Sequence, residues 1–255
     1  MGNVGQMGIV ALVNHKGGVG KSTTAVNLAA ALSKRGRRVL VIDADSQHNA
    51  TSWIGTDAPP ELAFADVLRR PTDAANAIGP STVGGVDLLY GSRETAVAER
   101  ELQAGPSPTT ALRRALRTVT SYDDILIDSP PGLGCASLNA IVAAAELLVP
   151  AEPHGLSLAG LGQLRETITD LVALEVIATE PPMRVILCRY DGRLALAKEV
   201  AAHLRDAADV AVFKTEIRVN TKLTECVGAR QSIFDYEPAA IGAADYAALS
   251  MEFKP

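Results

Sequence analysis

Short apolar runs rich in β-branched residues alternate along the chain with longer segments in which apolar residues recur at helical spacing. Residues 8–14 form the first such run, and residues 38–43 form the second. Between them, at 22–35, apolar residues fall at positions i, i+3, i+4 and i+7, namely Ala25, Leu28, Ala29 and Leu32. A strand, a helix and a strand in this order predict a right-handed βαβ unit with parallel strands.

The same alternation continues to the end of the chain. Further strands are predicted at 87–90, 124–128, 147–151, 184–190 and 210–217. Further helices are predicted at 94–103, 106–119, 138–145, 157–177, 194–207 and 239–253. Residues 57–60 and 70–85 are predicted to be surface connections. The pattern predicts one α/β domain over 1–255, a doubly wound, mostly parallel sheet with helices on both faces, with a flexible N-terminus at 1–7.

Composition narrows the class of protein. The 255-residue chain is 47% hydrophobic but only 4% aromatic, and its formal net charge is -5. This length and apolar fraction predict one sizeable core and argue against disorder. The acidic balance argues against a histone-like protein that coats polyanions such as DNA, although it does not exclude a local basic patch. The cysteines lack the spacing of a zinc ribbon or a disulfide framework and are expected to be reduced thiols: Cys135, Cys188 and Cys226.

The apolar stretches do not predict a membrane protein. The most apolar one, 136–151, is broken by Asn139 and Glu146, so it does not fit a membrane span. Neither end of the sequence carries the pattern of a signal peptide or of a basic amphipathic anchor. We therefore expect a cytoplasmic protein that has no membrane partner.

Residues 15–23, with the sequence HKGGVGKST, lie between the first strand and the first helix and nearly fit the phosphate-loop pattern G-x-x-x-x-G-K-[ST]. Glycines there let backbone N–H groups turn toward phosphate oxygens at a helix N-terminus. Lys21 is expected to reach the β- and γ-phosphates of ATP, Ser22 to bind Mg²⁺, and Thr23 to bind the α-phosphate. The residues predicted to bind the nucleotide are Gly17, Gly18, Val19, Gly20, Lys21, Ser22 and Thr23.

One position departs from this pattern, because His15 replaces the first glycine and a second lysine, Lys16, follows it. The segment 16–23 resembles the deviant Walker A motif of the ParA/MinD ATPases. The resemblance implies that Lys16 is the signature lysine, which crosses a nucleotide-sandwiched homodimer to the phosphates bound by the partner.

Residues 43–51, DADSQHNAT, are similar to switch I of that family, usually D-x-D-P-Q-x-N-A-T, with Ser46 in place of proline. A carboxylate at the carboxyl end of a parallel strand points into the cleft where ligands bind. The resemblance implies that Asp45 orients or deprotonates the attacking water. Asp43 is expected to support the metal indirectly, through the groups that bind it. The alternative is that the two acids only end a strand.

Residues 125–132, ILIDSPPG, are an apolar strand that ends in an acid, and they match Walker B and switch II of the family. Asp128 is expected to hold Mg²⁺ through water, because this hard cation keeps several waters and few carboxylates. Gly132 is expected to bind the γ-phosphate through its backbone N–H.

The C-terminal third favours small, Soj-like ParA proteins without an N-terminal helix-turn-helix domain. Residues 190–193, YDGR, resemble the Y-D-x-R of that branch, and 212–220, VFKTEIRVN, resemble V-F-x-T-x-I-P-R-N with differences at Arg218 and Val219. Cys188 and Arg189 replace the usual pair beside the first motif, which leaves the adenine contacts open.

Charge separates this region from the rest of the chain. Residues 184–235 hold nine Lys or Arg and seven Asp or Glu, a net +2, whereas the other residues sum to -7. Four of these basic residues are predicted to form one face for DNA phosphates: Arg193, Arg218, Lys222 and Arg230. The alternative is an ordinary solvated surface.

The resemblance implies a partition ATPase with weak intrinsic activity, whose ATP-bound homodimer binds DNA without sequence preference. It further implies release on hydrolysis stimulated by a ParB-like centromere-binding protein, and association with the nucleoid in the ATP-bound state. Two alternatives stay open at this point. One is a MinD-like or cargo-positioning ATPase that acts on a membrane or protein scaffold, and the other is a metabolic P-loop enzyme.

Overall fold

A computed structural model of the chain describes residues 7–153, 157–206 and 211–253. Within these ranges the strands form one sheet in the order β3-β4-β2-β5-β1-β6-β7-β8, and every neighbouring pair is parallel except β3 and β4. The strands are β1 (Gly8–Leu12), β2 (Val39–Asp43), β3 (Ile78–Pro80), β4 (Val86–Leu89), β5 (Asp124–Asp128), β6 (Glu146–Ala151), β7 (Met183–Tyr190) and β8 (Ala211–Arg218).

Helices cover both faces of this sheet. They are α1 (Lys21–Lys34), α2 (Asn49–Ile54), α3 (Phe64–Arg69), α4 (Thr95–Gln103), α5 (Ala111–Leu116), α6 (Cys135–Ala143), α7 (Ser157–Ala173), α8 (Ala195–Asp206), α9 (Lys222–Gly228), α10 (Ile233–Tyr236) and α11 (Ile241–Glu252). A short 3₁₀ helix, Pro71–Ala77, leads into β3. This architecture confirms the predicted doubly wound α/β fold.

Two hydrophobic cores, one on each face, hold these layers together. Successive strand residues point to opposite faces, so Val10 and Leu12 join the core under α1, α2 and α9–α11, whereas Ala11 joins the core under α3–α8. The central strands β1, β2 and β5 are therefore apolar along almost their whole length, as expected for parallel strands covered on both sides.

The register of the central strands places the site. Leu12 of β1 lies beside Asp128 of β5, and Asp128 lies beside Asp43 of β2. Three adjacent strands thus end at the same level, where the loops that follow them share one edge of the sheet. The predicted phosphate loop, switch I and switch II all leave from this edge.

The structure differs from the sequence prediction at element ends and in four short helices that were not predicted, α2, α3, α9 and α10. The prolines at 106 and 108 do not open a helix, and α5 begins only at Ala111. The helix α7 ends at Ala173, because Glu175 adopts a left-handed conformation (φ 56°) that closes its last turn. Residues 70–85, predicted as a surface connection, contain the antiparallel strand β3. Residues 1–6, 207 and 210, which belong to predicted segments, lie outside the described residues.

Candidate active site

The loop between β1 and α1 is shaped to receive an anion. Gly18 (φ 77°) and Gly20 (φ 96°) both lie in the left-handed region, which a side chain would strain. Gly20 directly precedes α1, and no described side chain caps this end of the helix. The first-turn N–H groups therefore offer their partial positive charge to a ligand.

One cavity of about 490 Å³ brings the predicted nucleotide residues together with the predicted catalytic acid. The predicted residues that line it are Gly17, Gly18, Gly20, Lys21, Ser22, Thr23 and Asp45. Val19, from the same predicted set, is buried and does not line the cavity. Six other wall residues, from three segments that meet only in the fold, were not among the predicted site residues: Gln47, Asn49, Ser52, Trp53, Pro131 and Val227.

The side chain of Lys21 is folded over its own loop. It is only 7% exposed, and its ammonium group donates hydrogen bonds to the carbonyl oxygens of Lys16 (3.2 Å) and Asn14 (3.4 Å). Burial lowers the pKa of Lys21, while the nearby carboxylates of Asp128 and Asp45 oppose this shift. A phosphate would offer this buried cation a stronger partner than two peptide carbonyls do.

Asp43 and Asp128 are neighbouring buried acids with different surroundings. The carboxylate of Asp43 accepts hydrogen bonds from the N–H groups of Thr51 (2.7 Å) and Asp45 (3.2 Å). Both carboxylate oxygens of Asp128 are buried, and neither has a hydrogen-bond partner among the described residues. Burial raises the pKa of both acids, and the charge of Asp43 raises the pKa of Asp128 further.

An unpartnered buried carboxylate needs an explanation, and a cation provides one. The Ser22 hydroxyl lies near enough to Asp128 to oppose the rise in its pKa, although it does not form a hydrogen bond of normal geometry. Mg²⁺ takes few protein ligands and keeps several waters, so one hydroxyl and one carboxylate fit it. In the described part of the chain, no three His, Cys, Asp or Glu residues form the group that a protein-enclosed metal site would need.

Asp45 stands at the start of switch I with its side chain on the cavity. It is 7% exposed, and its carboxylate accepts a hydrogen bond from the Gln47 N–H (2.9 Å) while its carbonyl accepts one from the His48 N–H (2.9 Å). His48 is left-handed (φ 43°) and directly precedes α2. Asp45 is thus held by its own turn, and Asp43 holds the two ends of that turn.

The backbone N–H of Gly132 is engaged within the protein in this structure. Gly132 is left-handed (φ 85°), and its N–H donates a hydrogen bond to the carbonyl of His15 (3.0 Å). Switch II therefore contacts the phosphate loop directly. The predicted contact between this N–H and a γ-phosphate would require the His15 hydrogen bond to open.

The predicted signature lysine, Lys16, lies at the rim of the site, with a side chain 54% exposed. Its ammonium nitrogen is 3.7 Å from a carboxylate oxygen of Glu152, directly after β6. The other oxygen of Glu152 lies 3.3 Å from the guanidinium of Arg189. Sequence reasoning missed Glu152, although an acid at the carboxyl end of a predicted strand is the signal that identified Asp45 and Asp128.

A second cavity of about 270 Å³ lies on the other side of the phosphate loop and shares Gly18, Gly20 and Thr23 with the first. Its other walls are Cys188, Arg189, Ile217, Arg218, Val219, Asn220, Thr221, Leu223, Thr224 and Tyr246. Burial raises the pKa of the Cys188 thiol to about 12, so this cysteine is a neutral wall residue and not a nucleophile. These residues are the candidates for the adenine contacts that the sequence left open.

The four residues predicted to bind DNA are all paired with acids. Arg193 and Lys222 pair with acids two and three positions away, Asp191 and Glu225 (both 2.7 Å). Arg218 is held by Asp245 of α11, which is only 5% exposed, and Arg230 contacts Asp57 (2.9 Å) and the Gly55 carbonyl. Arg193 and Lys222 are therefore paired locally, whereas Arg218 and Arg230 each connect segments that are distant in sequence.

Among the described residues, none of the helices has the length and apolar character that crossing a membrane requires.

Comparison with known proteins identifies relatives of the whole chain. A family model described as an AAA domain matches residues 7–177. The sporulation initiation inhibitor protein Soj of Bacillus subtilis is 37% identical over 96% of this chain and 97% of its own length. The chromosome-partitioning ATPase Soj of Thermus thermophilus is 38% identical over 95% of this chain and 94% of its own length.

A solved structure shows the same fold with ligands bound. Cobyrinic acid a,c-diamide synthase from Mycobacterium smegmatis, with bound ADP and magnesium, is 28% identical to this chain. It superposes with a TM-score of 0.80 and covers 96% of this chain and 93% of its own. The fold is thus shared with a synthase that binds ADP and magnesium.

Proposed function

The chain belongs to the ParA/MinD family of P-loop ATPases, and from this premise we propose that it is a ParA-type partition ATPase. In this proposal it binds and hydrolyses ATP with Mg²⁺, and its ATP-bound dimer binds DNA without sequence preference. The observation that carries the enzymatic part is the unpartnered carboxylate of Asp128 beside a phosphate loop with a buried lysine. The relatives named as Soj, one of them a chromosome-partitioning ATPase, support the cellular role.

The phosphate loop binds the triphosphate of ATP. Its N–H groups and the end of α1 face the phosphate oxygens, and Thr23 is placed between the two cavities for the α-phosphate. Lys21 exchanges its two carbonyl partners for oxygens of the β- and γ-phosphates. Because this ammonium group is already buried, little side-chain freedom is lost when ATP arrives.

Ser22 and Asp128 would hold Mg²⁺, which would supply positive charge against the negative charge of the phosphates. Asp43 has a supporting role here, since its oxygens are occupied by two backbone N–H groups of switch I. It keeps the β2 end and the Asp45 turn together beside Asp128.

Asp45 orients the water that attacks the γ-phosphorus and accepts a proton from it, so that ATP and water give ADP and phosphate. Asp45 lines the same cavity as Lys21 and Ser22, which supports this role beside the phosphates. The backbone N–H of Gly132 binds the γ-phosphate once its hydrogen bond to His15 opens. Switch II therefore responds to the state of the nucleotide.

Lys16 acts across a dimer of two chains. Its exposed position at the rim, and not within the cavity, supports a role toward a partner subunit. Its ion pair with Glu152 is mostly exposed on the lysine side, and such pairs contribute only about 0.2–1 kcal/mol. Lys16 can therefore leave Glu152 for a bound triphosphate, which offers more negative charge.

DNA binding by the dimer centres on Arg193 and Lys222. Arg193 is exposed and Lys222 is half-buried, and because their acidic partners are local, both side chains can turn to a phosphate at small cost. Arg218 and Arg230, the other two predicted residues, would first have to release Asp245 and Asp57, so the proposal does not count them among the DNA contacts. A dimer doubles this modest surface and raises its avidity, and a ParB-like protein would end binding by stimulating hydrolysis.

Co-sedimentation with DNA and with liposomes, side by side and with ATP, tests the proposal. We expect ATP-dependent sedimentation with DNA and none with liposomes. Sedimentation with liposomes alone would favour a MinD-like role. Analysis of the products with candidate metabolites present adds a second check, because a product other than ADP and phosphate would favour a metabolic enzyme like the diamide synthase.

A further inference from the structure

Arg230 joins α9 to the helix that follows switch I. Its guanidinium donates hydrogen bonds to the carbonyl of Gly55, the residue after α2, and to the carboxylate of Asp57 (2.9 Å). Its own carbonyl accepts a hydrogen bond from the Thr82 hydroxyl (2.9 Å). Arg230 is also left-handed (φ 55°) at the end of α9, a position where glycine is usual. A strained arginine is thus kept where its side chain and its carbonyl together connect three segments.

Buried hydrogen bonds reinforce the same connection. The indole N–H of Trp53, in α2, donates to the carbonyl of Gln231 (2.8 Å), and Trp53 is only 2% exposed. The side-chain oxygen of Asn27, in α1, accepts a hydrogen bond from the N–H of Ile233 (2.9 Å). The segment 230–233 is therefore bound both to the switch I helix and to the helix that begins at the phosphate loop.

The helix α9 that this segment fixes contacts both cavities of the nucleotide site. Val227 lines the cavity that holds Lys21 and Asp45, and Leu223 lines the cavity on the other side of the phosphate loop. Lys222 lies at the start of the same helix. A movement of α2, the helix at switch I, would therefore be transmitted through direct contacts to α9, the helix that carries Lys222.

We propose that Arg230 and Trp53 are positioning residues that couple switch I to α9. In this assignment Arg230 does not bind DNA phosphate. It transmits the difference between ATP and ADP at Asp45 to the DNA-binding surface around Lys222. The inference rests on the proposed function, because it requires a nucleotide at the cavity and DNA at that surface. It adds a physical link between the two that the sequence motifs do not contain.

Arg230→Gly tests this coupling. Glycine suits the left-handed backbone, so the variant removes the guanidinium while relieving the strain. The decisive quantity is the ratio of the DNA affinity with ATP to that with ADP, measured on the full chain. We expect Arg230→Gly to lower this ratio by about threefold or more. Arg230→Lys, which keeps the charge but loses the planar fork, is expected to lower it as well.

Fluorescence without DNA locates the effect. Trp53 is the single tryptophan of the chain, and it both lines the nucleotide cavity and contacts Gln231, so its emission reports on the junction between the two. The emission of the parent protein is expected to differ between ATP and ADP, and this difference is expected to shrink by about half or more in Arg230→Gly. Arg117→Gln is the matched control, because Arg117 is an exposed arginine that follows α5 on the other face of the sheet.

The outcomes separate three cases. An unchanged affinity ratio, with DNA binding weakened equally in every nucleotide state and a salt slope reduced by about one, would make Arg230 a phosphate contact and overturn the coupling. A variant that behaves like Arg117→Gln in all assays would overturn it too. A parent protein that shows no ATP-specific DNA binding would overturn the proposed function itself, and the coupling with it.

Discussion

Asp128→Asn is expected to stabilise the protein in the absence of ligands. Both oxygens of this carboxylate are buried without a hydrogen-bond partner among the described residues, and Asp43 lies beside it as a second acid. Lys21, whose charge acts on Asp128, gives its ammonium protons to two backbone carbonyls instead. Because burial raises its pKa, the folded state must hold Asp128 either as a desolvated charge or as a protonated acid, and the amide avoids both costs while keeping the volume of the side chain.

The size of the effect follows from the cost of such a group. An unsatisfied buried polar group costs about 1–3 kcal/mol, and more when it is charged, so we expect a gain of that order in the free energy of unfolding. For a chain of this size, 1 kcal/mol shifts the melting temperature by about 2–4 °C, which predicts a rise of about 2–12 °C.

The gain is also expected to depend on pH. Burial raises the folded-state pKa of Asp128 above its value in the unfolded chain, so the folded state binds more protons in the range between the two. The ligand-free parent therefore loses stability as pH rises above about 4, the unfolded value. The amide introduced by Asp128→Asn does not titrate, so the advantage of the variant should grow with pH.

Thermal melting with and without Mg-ADP measures both effects. The parent is expected to gain stability from the ligand, and Asp128→Asn is expected to lose most of the magnesium-dependent part of that gain. Asp170→Asn is the control, because Asp170 is exposed on α7 and its neutralisation should change stability by less than about 0.5 kcal/mol. A ligand-free Asp128→Asn that melts below the parent would refute the reasoning.

Three further predictions concern the proposed mechanism. Lys16→Ala should still bind ADP but form no ATP-dependent dimer by light scattering, and a normal dimer would contradict its role across the interface. Asp45→Asn should keep ATP-dependent DNA binding while hydrolysis falls by about 100-fold or more in a phosphate-release assay, and unchanged hydrolysis would exclude Asp45. Lys222→Gln should weaken DNA binding and lower its salt slope by about one. It is a sharper test than Arg218→Glu, which would place a second acid against Asp245 and perturb α11.

The fold and the core of the site could be predicted because their signals are local. The apolar runs that became β1, β2 and β5 each end at a functional loop, and the phosphate loop occupies a single stretch of sequence. The acid at the end of β5 was therefore identified without knowledge of its neighbours. What sequence could not indicate was that Asp43 would be satisfied by backbone N–H groups whereas Asp128 would not.

Contacts between distant residues account for what sequence reasoning missed. Nothing in the motif around Lys16 indicates Glu152, since the two meet only when β6 lies next to β1. Arg230 and Asp57 are 173 positions apart, and charge counting treated Arg230 as one more surface cation. The identity of a basic residue predicts its charge, but only the fold determines which acid it contacts.

DNA binding of the full chain, measured with ATP, with ADP and without nucleotide across a salt series, tests the central claim most directly. The account predicts binding that is specific to ATP and weakens steeply as salt rises, because the contacts are to phosphates. Equal DNA affinity in all three nucleotide states, or no binding at low salt with ATP, would contradict it.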